Sequence, residues 1–170
     1  MSSKETDLLV ALQKAAYTPA VAKAARGLSH FGEHDIGWLA VAGIGAAVDK
    51  PRRKKWIALG VGTFVAHAAS VVLKRVVRRP RPQDERLTIG VATPSQLSFP
   101  SSHSTNTAAA AVHLADITGA KWPYALVPVM MVSRNVLGVH YPTDTLGGAV
   151  LGAAVAKYAV RAAQKAERRI

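Results

Sequence analysis

The chain has 170 residues, of which 49% are hydrophobic, and its 22 Lys and Arg outnumber 10 Asp and Glu to give a net charge of +12. This length is typical of one domain, and the hydrophobic fraction excludes an acidic disordered chain. The absence of cysteine excludes disulfides, thiolate zinc sites and thiol catalysis. A basic nucleic-acid-binding protein and a small membrane protein with cationic loops both remain.

The apolar residues occur in blocks that lack the charged face of a soluble amphipathic helix. Residues 7–26 form an Ala-rich amphipathic segment that either lies in the membrane interface or crosses the bilayer, and 27–32 break it. The run Trp56–Leu73 is 18 residues without a formal charge, which is long enough for a transmembrane helix. The predicted spans are 36–49, 56–74, 103–119, 122–139 and 145–160, with an outer loop at 82–99. We therefore expect one domain over 1–170, an all-α polytopic membrane helical bundle of five or six spans.

Loop charges predict which end of this bundle faces the cytoplasm. The basic run 51–55, Lys121 and the basic C-terminal tail fall on one face, and the positive-inside rule assigns that face to the cytoplasm. The opposite face carries a second basic run, Lys74–Arg81, which conflicts with the rule unless these cations have a function. We expect a multi-pass plasma-membrane protein whose second face, with its catalytic residues, is extracytoplasmic.

Three segments on that second face carry groups suited to phosphate chemistry. The segments are Lys74-x6-Arg81-Pro82, Phe99–Ser104 and Ser133-Arg134-x5-His140-x3-Asp144. Arginine side chains and a lysine neutralise phosphoryl oxygens without a metal ion. Ser101 is placed to cap a helix, so that the first backbone amides of this helix would face an anion.

Two histidines complete the predicted site. His140 attacks phosphorus when its reactive nitrogen is unprotonated, and Asp144 accepts a hydrogen bond from the other ring nitrogen. His103 donates a proton to the leaving alkoxide and then activates water. Together these groups predict hydrolysis of a phosphomonoester or pyrophosphate through a phosphohistidine, with no metal and no cofactor.

The three segments resemble the signature of the type 2 phosphatidic acid phosphatase superfamily, K-x6-R-P, P-S-G-H and S-R-x5-H-x3-D. The match spans 74–144, and its register is unambiguous because a signature ending at Arg79-Pro80 would need a lysine where Val72 stands. The resemblance implies catalytic roles for His140, His103 and Asp144 and phosphate-binding roles for Lys74, Arg81, Ser101, Ser102 and Arg134. Ser102 replaces the usual glycine, and we expect a tighter pocket as a result.

A finer resemblance, carried by Gly27–His34 and Thr93–Pro100, is to actinobacterial phosphatases of the cell-wall arabinan pathway. It implies removal of the 5-phosphate from decaprenylphosphoryl-5-phosphoribose. The residues alone leave a polyprenyl diphosphate or a phosphatidate-type lipid open as substrate. A non-catalytic protein that binds anionic lipid is a second class, and vanadate-dependent oxidation is a third. Nucleic-acid binding is disfavoured because the basic runs alternate with uncharged spans.

Further polar residues fall near the predicted site. His30 and His34 have a spacing that can hold a metal on a helix, but no third ligand is evident, and contact with the substrate is the preferred interpretation. His67 lies inside an apolar span, where it either supports the site from behind or bonds a backbone carbonyl. Arg75, Arg78 and Arg79 are interpreted as contacts with lipid headgroups. The oligomeric state stays open.

Overall fold

The computed structural model describes residues 3–167, and within this range the chain forms seven α-helices and no extended strand. The helices are α1 (Ser3–Ala16), α2 (Pro19–Gly32), α3 (Ile36–Val48), α4 (Arg53–Val77), α5 (Ser102–Thr118), α6 (Leu126–Val136) and α7 (Pro142–Glu167). Short 3-10 turns precede α3, α4 and α6. The expected all-α class is confirmed for the described residues.

Residues 7–26, predicted to be one helix, belong to two. Pro19 lacks the backbone N–H that would continue α1, and it occupies the first turn of α2, where no such donor is needed. The Thr18 hydroxyl caps α2 by accepting a hydrogen bond from the Val21 amide at 3.2 Å. The prediction of a single amphipathic helix is therefore wrong, because a proline and a capping threonine divide the segment into two helices.

The predicted break at 27–32 is also displaced. α2 continues through this stretch and ends at Gly32. The chain then turns into α3 through His34 and Asp35, whose φ angles of 50° and 66° lie in the left-handed region. This turn leaves the C-terminal end of α2 beside the N-terminus of α5, where it contacts the predicted site.

Helix α5 is the centre of the bundle, packed against α3, α4, α6 and α7. The Ser101 side chain caps its first turn, and Gly119, with φ 70°, ends it. Its alanines at 108–111 are buried on all sides, because small side chains let the surrounding helices approach closely.

Helix α7 crosses α5 at two glycines that are one turn apart. A Cβ at Gly148 would lie 2.5 Å from the Ser101 carbonyl oxygen, and one at Gly152 would overlap the carbonyl of Thr105. Only hydrogen fits at these positions. The close crossing places the first turn of α7 against the cap of α5, where the Ser101 amide donates to the Asp144 carbonyl at 3.0 Å.

The outer surface of the bundle is apolar. Large hydrophobic side chains are exposed along α3, α4, α6 and α7, among them Ile44, Val61, Phe64, Val72, Val129 and Val150. A contiguous apolar exterior is typical of a surface that contacts lipid. Two helices of the described part of the chain are long and apolar enough to cross a membrane, Lys50–Val77 and Pro142–Lys165.

The two ends of the bundle hold different charged groups. At one end Lys55 Nζ lies 3.1 Å from the Asp116 carboxylate, and Arg52 donates to the Ile117 carbonyl at 3.0 Å. These cations cover the C-terminus of α5, where they complement its dipole. The three motif segments lie at the other end.

The helix bounds differ from the predicted spans mainly at 122–139. A 3-10 turn occupies Trp122–Ala125, and α6 ends at Val136, because the residues that follow form the tight turn that carries part of the predicted site. The segments 56–74 and 145–160 are extended at both ends by α4 and α7.

The α5–α7 crossing predicts that Gly152→Ala destabilises the protein. The added methyl meets backbone that cannot move without separating the helices, so we expect a loss of about 1–3 kcal/mol and a melting temperature lower by several degrees. Thermal unfolding in detergent measures it. Gly43→Ala is the control, because Gly43 is exposed on α3 and a Cβ there meets nothing within 4 Å. Equal melting temperatures for the two variants would contradict the prediction.

Candidate active site

One cavity of about 550 Å³ opens at the end of the bundle where the three motif segments meet. Six of the eight residues predicted to be catalytic or phosphate-binding line it, namely Lys74, Arg81, Ser102, His103, Arg134 and His140. Ser101 and Asp144 are fully buried and are not among its lining residues. The fold therefore assembles one cationic site from segments that are distant in sequence.

His140 lies in the turn between α6 and α7 and is 2% exposed. Its Nε2 is 3.2 Å from a guanidinium nitrogen of Arg81. Because arginine only donates, Nε2 accepts this bond and carries no proton, and the neutral ring holds its proton on Nδ1. Burial, followed by the positive charges of Arg81, Arg134 and Lys74, lowers the pKa of His140 well below its ordinary value. The ring is neutral near pH 7, as a nucleophile must be.

Three donors hold the Asp144 carboxylate. Oδ2 accepts from the Tyr141 amide at 2.7 Å and from the Ser98 hydroxyl, and Oδ1 accepts from Arg79 at 2.8 Å. His140 Nδ1 is 3.8 Å from Oδ2 and has no hydrogen-bond partner among the described residues. The predicted pair is therefore adjacent, and a ring shift of about 1 Å would bring it to hydrogen-bond distance.

His103, in the first turn of α5, is positioned by the end of α2. Its Nε2 lies 2.9 Å from the Ser29 carbonyl oxygen, and because a carbonyl only accepts, Nε2 carries a proton. Gly32 packs directly on the ring, since a Cβ there would lie 2.6 Å from the Cδ2 atom. Nδ1 is the ring nitrogen that remains for proton exchange with a substrate.

Arg134 is 2% exposed, and only some of its hydrogen-bond donors have a partner. It donates to the Ser29 hydroxyl at 2.6 Å, while its Nε has no partner within the described part of the chain. A buried donor on a charged group is costly to leave unpaired, and an anion in the cavity would satisfy it. Ser29 thus holds two predicted site residues, His103 through its carbonyl and Arg134 through its hydroxyl.

Backbone carbonyls of the α4–α5 loop and of the turn between α6 and α7 position the other two cations. Lys74 Nζ lies 3.2 Å from the Leu97 carbonyl. Arg81 donates to the carbonyls of Ser95 at 2.7 Å and Val139 at 2.6 Å. Burial lowers the pKa of Arg81 to about 10, so it remains charged at neutral pH. Carbonyls orient these cations without neutralising them, which leaves their charge for an anion.

Ser101 and Ser102 occupy different environments. Ser101 accepts a bond from the Ser104 amide at 3.5 Å as the cap of α5. Ser102 lines the cavity, and its hydroxyl is 2.9 Å from that of Ser70 on α4. The serine at the usual glycine position is therefore held by a hydroxyl partner on α4, and the tighter pocket stays a prediction.

The three other predicted histidines line the same cavity. His30 and His34 are exposed near the end of α2, and His30 Nδ1 is 3.7 Å from the Glu33 carboxylate. His67 Nδ1 lies 3.0 Å from the side-chain amide of Asn106 and not from a backbone carbonyl. No three acidic or histidine side chains are placed to hold a metal in the residues described. Contact with substrate stays a prediction for His30 and His34.

The structure adds residues to which the sequence analysis assigns no role. Ser29, Ser98 and Ser70 hold catalytic or cavity-lining side chains, but a single serine in a loop or helix carries no recognisable pattern. The interpretation of Arg79 as a lipid-headgroup contact is wrong, because its guanidinium is bound to the carboxylates of Glu5 and Asp144. The one sequence signal that could have suggested this ion pairing is the place of Arg79 in the basic run just before Arg81.

Comparison with known proteins points to the same phosphate chemistry as the residues of the cavity. Residues 55–168 match the PAP2 superfamily. Over 145 residues the chain is 56% identical to decaprenylphosphoryl-5-phosphoribose phosphatase of Mycolicibacterium smegmatis, which covers 85% of this chain and 81% of the relative. Over 152 residues it is 51% identical to the protein of the same name from Mycobacterium tuberculosis, with coverage of 89% and 86%.

Two crystal structures share the fold. A transmembrane PAP2-type phosphatidylglycerolphosphate phosphatase from Bacillus subtilis superimposes with a TM-score of 0.74 at 27% identity, covering 96% of this chain and 88% of its own. Aquifex aeolicus LpxE gives a TM-score of 0.77 at 19% identity, with coverage of 91% and 93%. An apolar helical bundle with a cationic cavity around a buried histidine defines a membrane phosphatase, a phosphoric monoester hydrolase. The chain belongs to the PAP2 superfamily.

The contact between Gly32 and His103 predicts that Gly32→Ala impairs catalysis. The new methyl displaces the ring and breaks its bond to Ser29. We expect kcat to fall about 10- to 100-fold, because a displaced ring loses part of the about 10²- to 10⁴-fold that a general acid contributes, the role predicted for His103. Phosphate release by the detergent-purified protein measures this fall.

Gly27→Ala is the matched control, because Gly27 is exposed on the same helix and a Cβ there meets nothing within 4 Å. Melting temperatures of both variants separate misfolding from a local effect. Wild-type kcat in Gly32→Ala would show that the ring tolerates displacement.

Proposed function

We propose that this membrane phosphatase removes the 5-phosphate of decaprenylphosphoryl-5-phosphoribose through a phosphohistidine, without a metal ion. The observation that carries the reaction is His140, a buried neutral imidazole whose unprotonated Nε2 faces Arg81 in a cationic cavity. The names and the high identity of the two mycobacterial relatives support the substrate.

In the first step, the substrate phosphate binds among Lys74, Arg81 and Arg134, and its oxygens replace His140 as the acceptor of the Arg81 bond. The freed Nε2 attacks phosphorus, the Nε2–P bond forms and the bond from phosphorus to the ribose 5-oxygen breaks. The negative charge of the bound phosphate favours protonation of His103, which gives its Nδ1 proton to the departing oxygen. Asp144 accepts the Nδ1–H of His140 and stabilises the positive charge of the phosphohistidine.

In the second step, water attacks the phosphohistidine. His103, now unprotonated at Nδ1, takes a proton from the water as its oxygen bonds to phosphorus, and the Nε2–P bond breaks. Inorganic phosphate leaves and both histidines return to their initial states. No metal is required because the three fixed cations supply the charge that a metal would supply.

The surroundings of the cavity support a lipid substrate. The apolar side chains of Val71, Val91 and Leu97 line the cavity together with the cations and offer contacts for a polyprenyl chain.

Helices α3 to α7 run alternately between the two ends of the bundle, and we infer five membrane crossings. The contacts of α1 with the loop at 82–99 and with Thr143 favour a position for α1 at the catalytic end. The basic residues 52–55 at the other end favour a plasma-membrane protein with an extracytoplasmic site.

A phosphoenzyme should be detectable. We expect His140→Asn to abolish turnover and labelling from a substrate with ³²P in the cleaved phosphate. His103→Asn should accumulate acid-labile label when the leaving group is a good one, because its second step lacks a base. Rapid quenching followed by electrophoresis measures the label. Turnover that survives in His140→Asn would remove it as the nucleophile, and activity lost in EDTA would contradict the metal-free mechanism.

The substrate is tested by phosphate release from a panel of lipid phosphates in detergent micelles. We expect kcat/KM for decaprenylphosphoryl-5-phosphoribose to exceed that for polyprenyl diphosphate, phosphatidylglycerolphosphate and phosphatidate by about 10-fold or more, a margin of about 1.4 kcal/mol. His140→Asn serves as the blank for each lipid. A preference for another lipid would keep the reaction and reject this substrate.

A further inference from the structure

Arg79 lies between two carboxylates that come from opposite ends of the chain. One guanidinium nitrogen is 2.8 Å from Asp144 Oδ1, and the other is 2.5 Å from Glu5 Oε2. The guanidinium carbon also lies 4.2 Å from the centre of the Tyr141 ring. Asp144 is 0% exposed and the side chains of Arg79 and Glu5 are 22% and 20% exposed, so water screens these charges only in part.

Glu5 is held in this position by the docking of α1. Leu9 and Val10 are buried against Leu87 and Tyr141. The Glu5 carboxylate also accepts bonds from the hydroxyl of Thr143 at 2.7 Å and from its amide at 3.2 Å. Burial raises the pKa of Glu5, but the bonds from Thr143 together with the bond and charge of Arg79 lower this pKa below its ordinary value, so Glu5 is ionised.

A polar contact near the other end of α1 fixes the helix along its length. The Gln13 side chain donates to the carbonyls of Thr88 at 2.8 Å and Val136 at 2.9 Å, and it accepts from the Thr88 amide at 2.9 Å. A side chain with three such bonds fixes the register of α1 against the outer loop and the end of α6. Helix α1 therefore holds Glu5 in a fixed position beside Arg79.

The charges of Asp144, Arg79 and Glu5 together determine how well a positive His140 is stabilised. Asp144 is suited to stabilise an imidazolium because it carries a negative charge, but its pairing with Arg79 alone would have a net charge of zero. Glu5 returns the net charge of the group to −1. A negative charge matters here, because the nearby cations Lys74, Arg81 and Arg134 all oppose a positive histidine.

We propose that Glu5 is a positioning residue of this phosphatase, acting through Arg79 to keep the Asp144 group negatively charged beside His140. Helix α1 is then a functional part of the active site, although it lies outside residues 55–168 that match the family. The inference rests on the proposed phosphohistidine mechanism, in which His140 becomes positively charged.

The first test is Glu5→Gln, which keeps the size and the hydrogen-bonding oxygen and removes the charge. We expect kcat to fall about tenfold, the effect of a neighbouring charge that is partly screened, and KM to stay unchanged because Glu5 does not line the cavity. The matched control is Asp7→Asn on the same helix. Asp7 also ties α1 to the chain by an ion pair, 3.0 Å from Arg86, but it is exposed and makes no contact with Asp144.

The second test is the double variant Glu5→Gln with Arg79→Gln, which restores a net charge of −1 on the group. We expect it to recover most of the kcat lost in Glu5→Gln, because Ser98 and the Tyr141 amide still hold Asp144. A purely structural role of the ion pairs predicts a double variant that is as slow as the single one or slower, and that result would overturn the proposal.

Wild-type kcat in Glu5→Gln, or an equal loss in Asp7→Asn, would overturn it as well. The His140→Asn variant, assayed in parallel, distinguishes this failure from failure of the proposed function. If turnover requires His140 but not the charge of Glu5, only the role of Glu5 is rejected. If turnover does not require His140, the mechanism itself is rejected.

Discussion

The carboxylate of Asp144 is the interaction on which the rest of the site depends. Its side chain accepts bonds from Arg79, Ser98 and the Tyr141 amide, and its backbone carbonyl accepts from the Ser101 amide. One residue therefore joins the end of α4, the outer loop, the cap of α5 and the start of α7. A buried charge is stable only when it is paired and hydrogen-bonded, so the surrounding segments are arranged around it.

The three cations of the predicted phosphate site are incompletely paired. Carbonyl oxygens orient Lys74 and Arg81, and one nitrogen of Arg134 has no partner among the described residues. Such a site is poorly satisfied when empty and favours an anion of several charged oxygens. The same positive charges keep His140 neutral, so the arrangement suited to bind phosphate also keeps the proposed nucleophile unprotonated.

Helices α1 and α2 complete a site whose recognised motifs all lie later in the chain. The end of α2 supplies Ser29, which holds His103 and Arg134, and Gly32, which admits the His103 ring. Helix α1 brings Glu5 to Arg79. The close packing of α5 on α7, which only glycine permits at Gly152, keeps the first turns of the two helices together.

The all-α class, the family and most of the charged and histidine side chains that line the cavity could be predicted from the sequence alone, because residue identities and spacings are local and recur as a motif. The division of 7–26 at Pro19 was also within reach, since proline and a capping threonine are local signals. The partners of these residues are set by how the helices pack. Ser29 and Glu5 contact atoms that are more than 70 positions away. Such hydrogen bonds and ion pairs depend on how helices pack in space, and no spacing along the chain records that geometry.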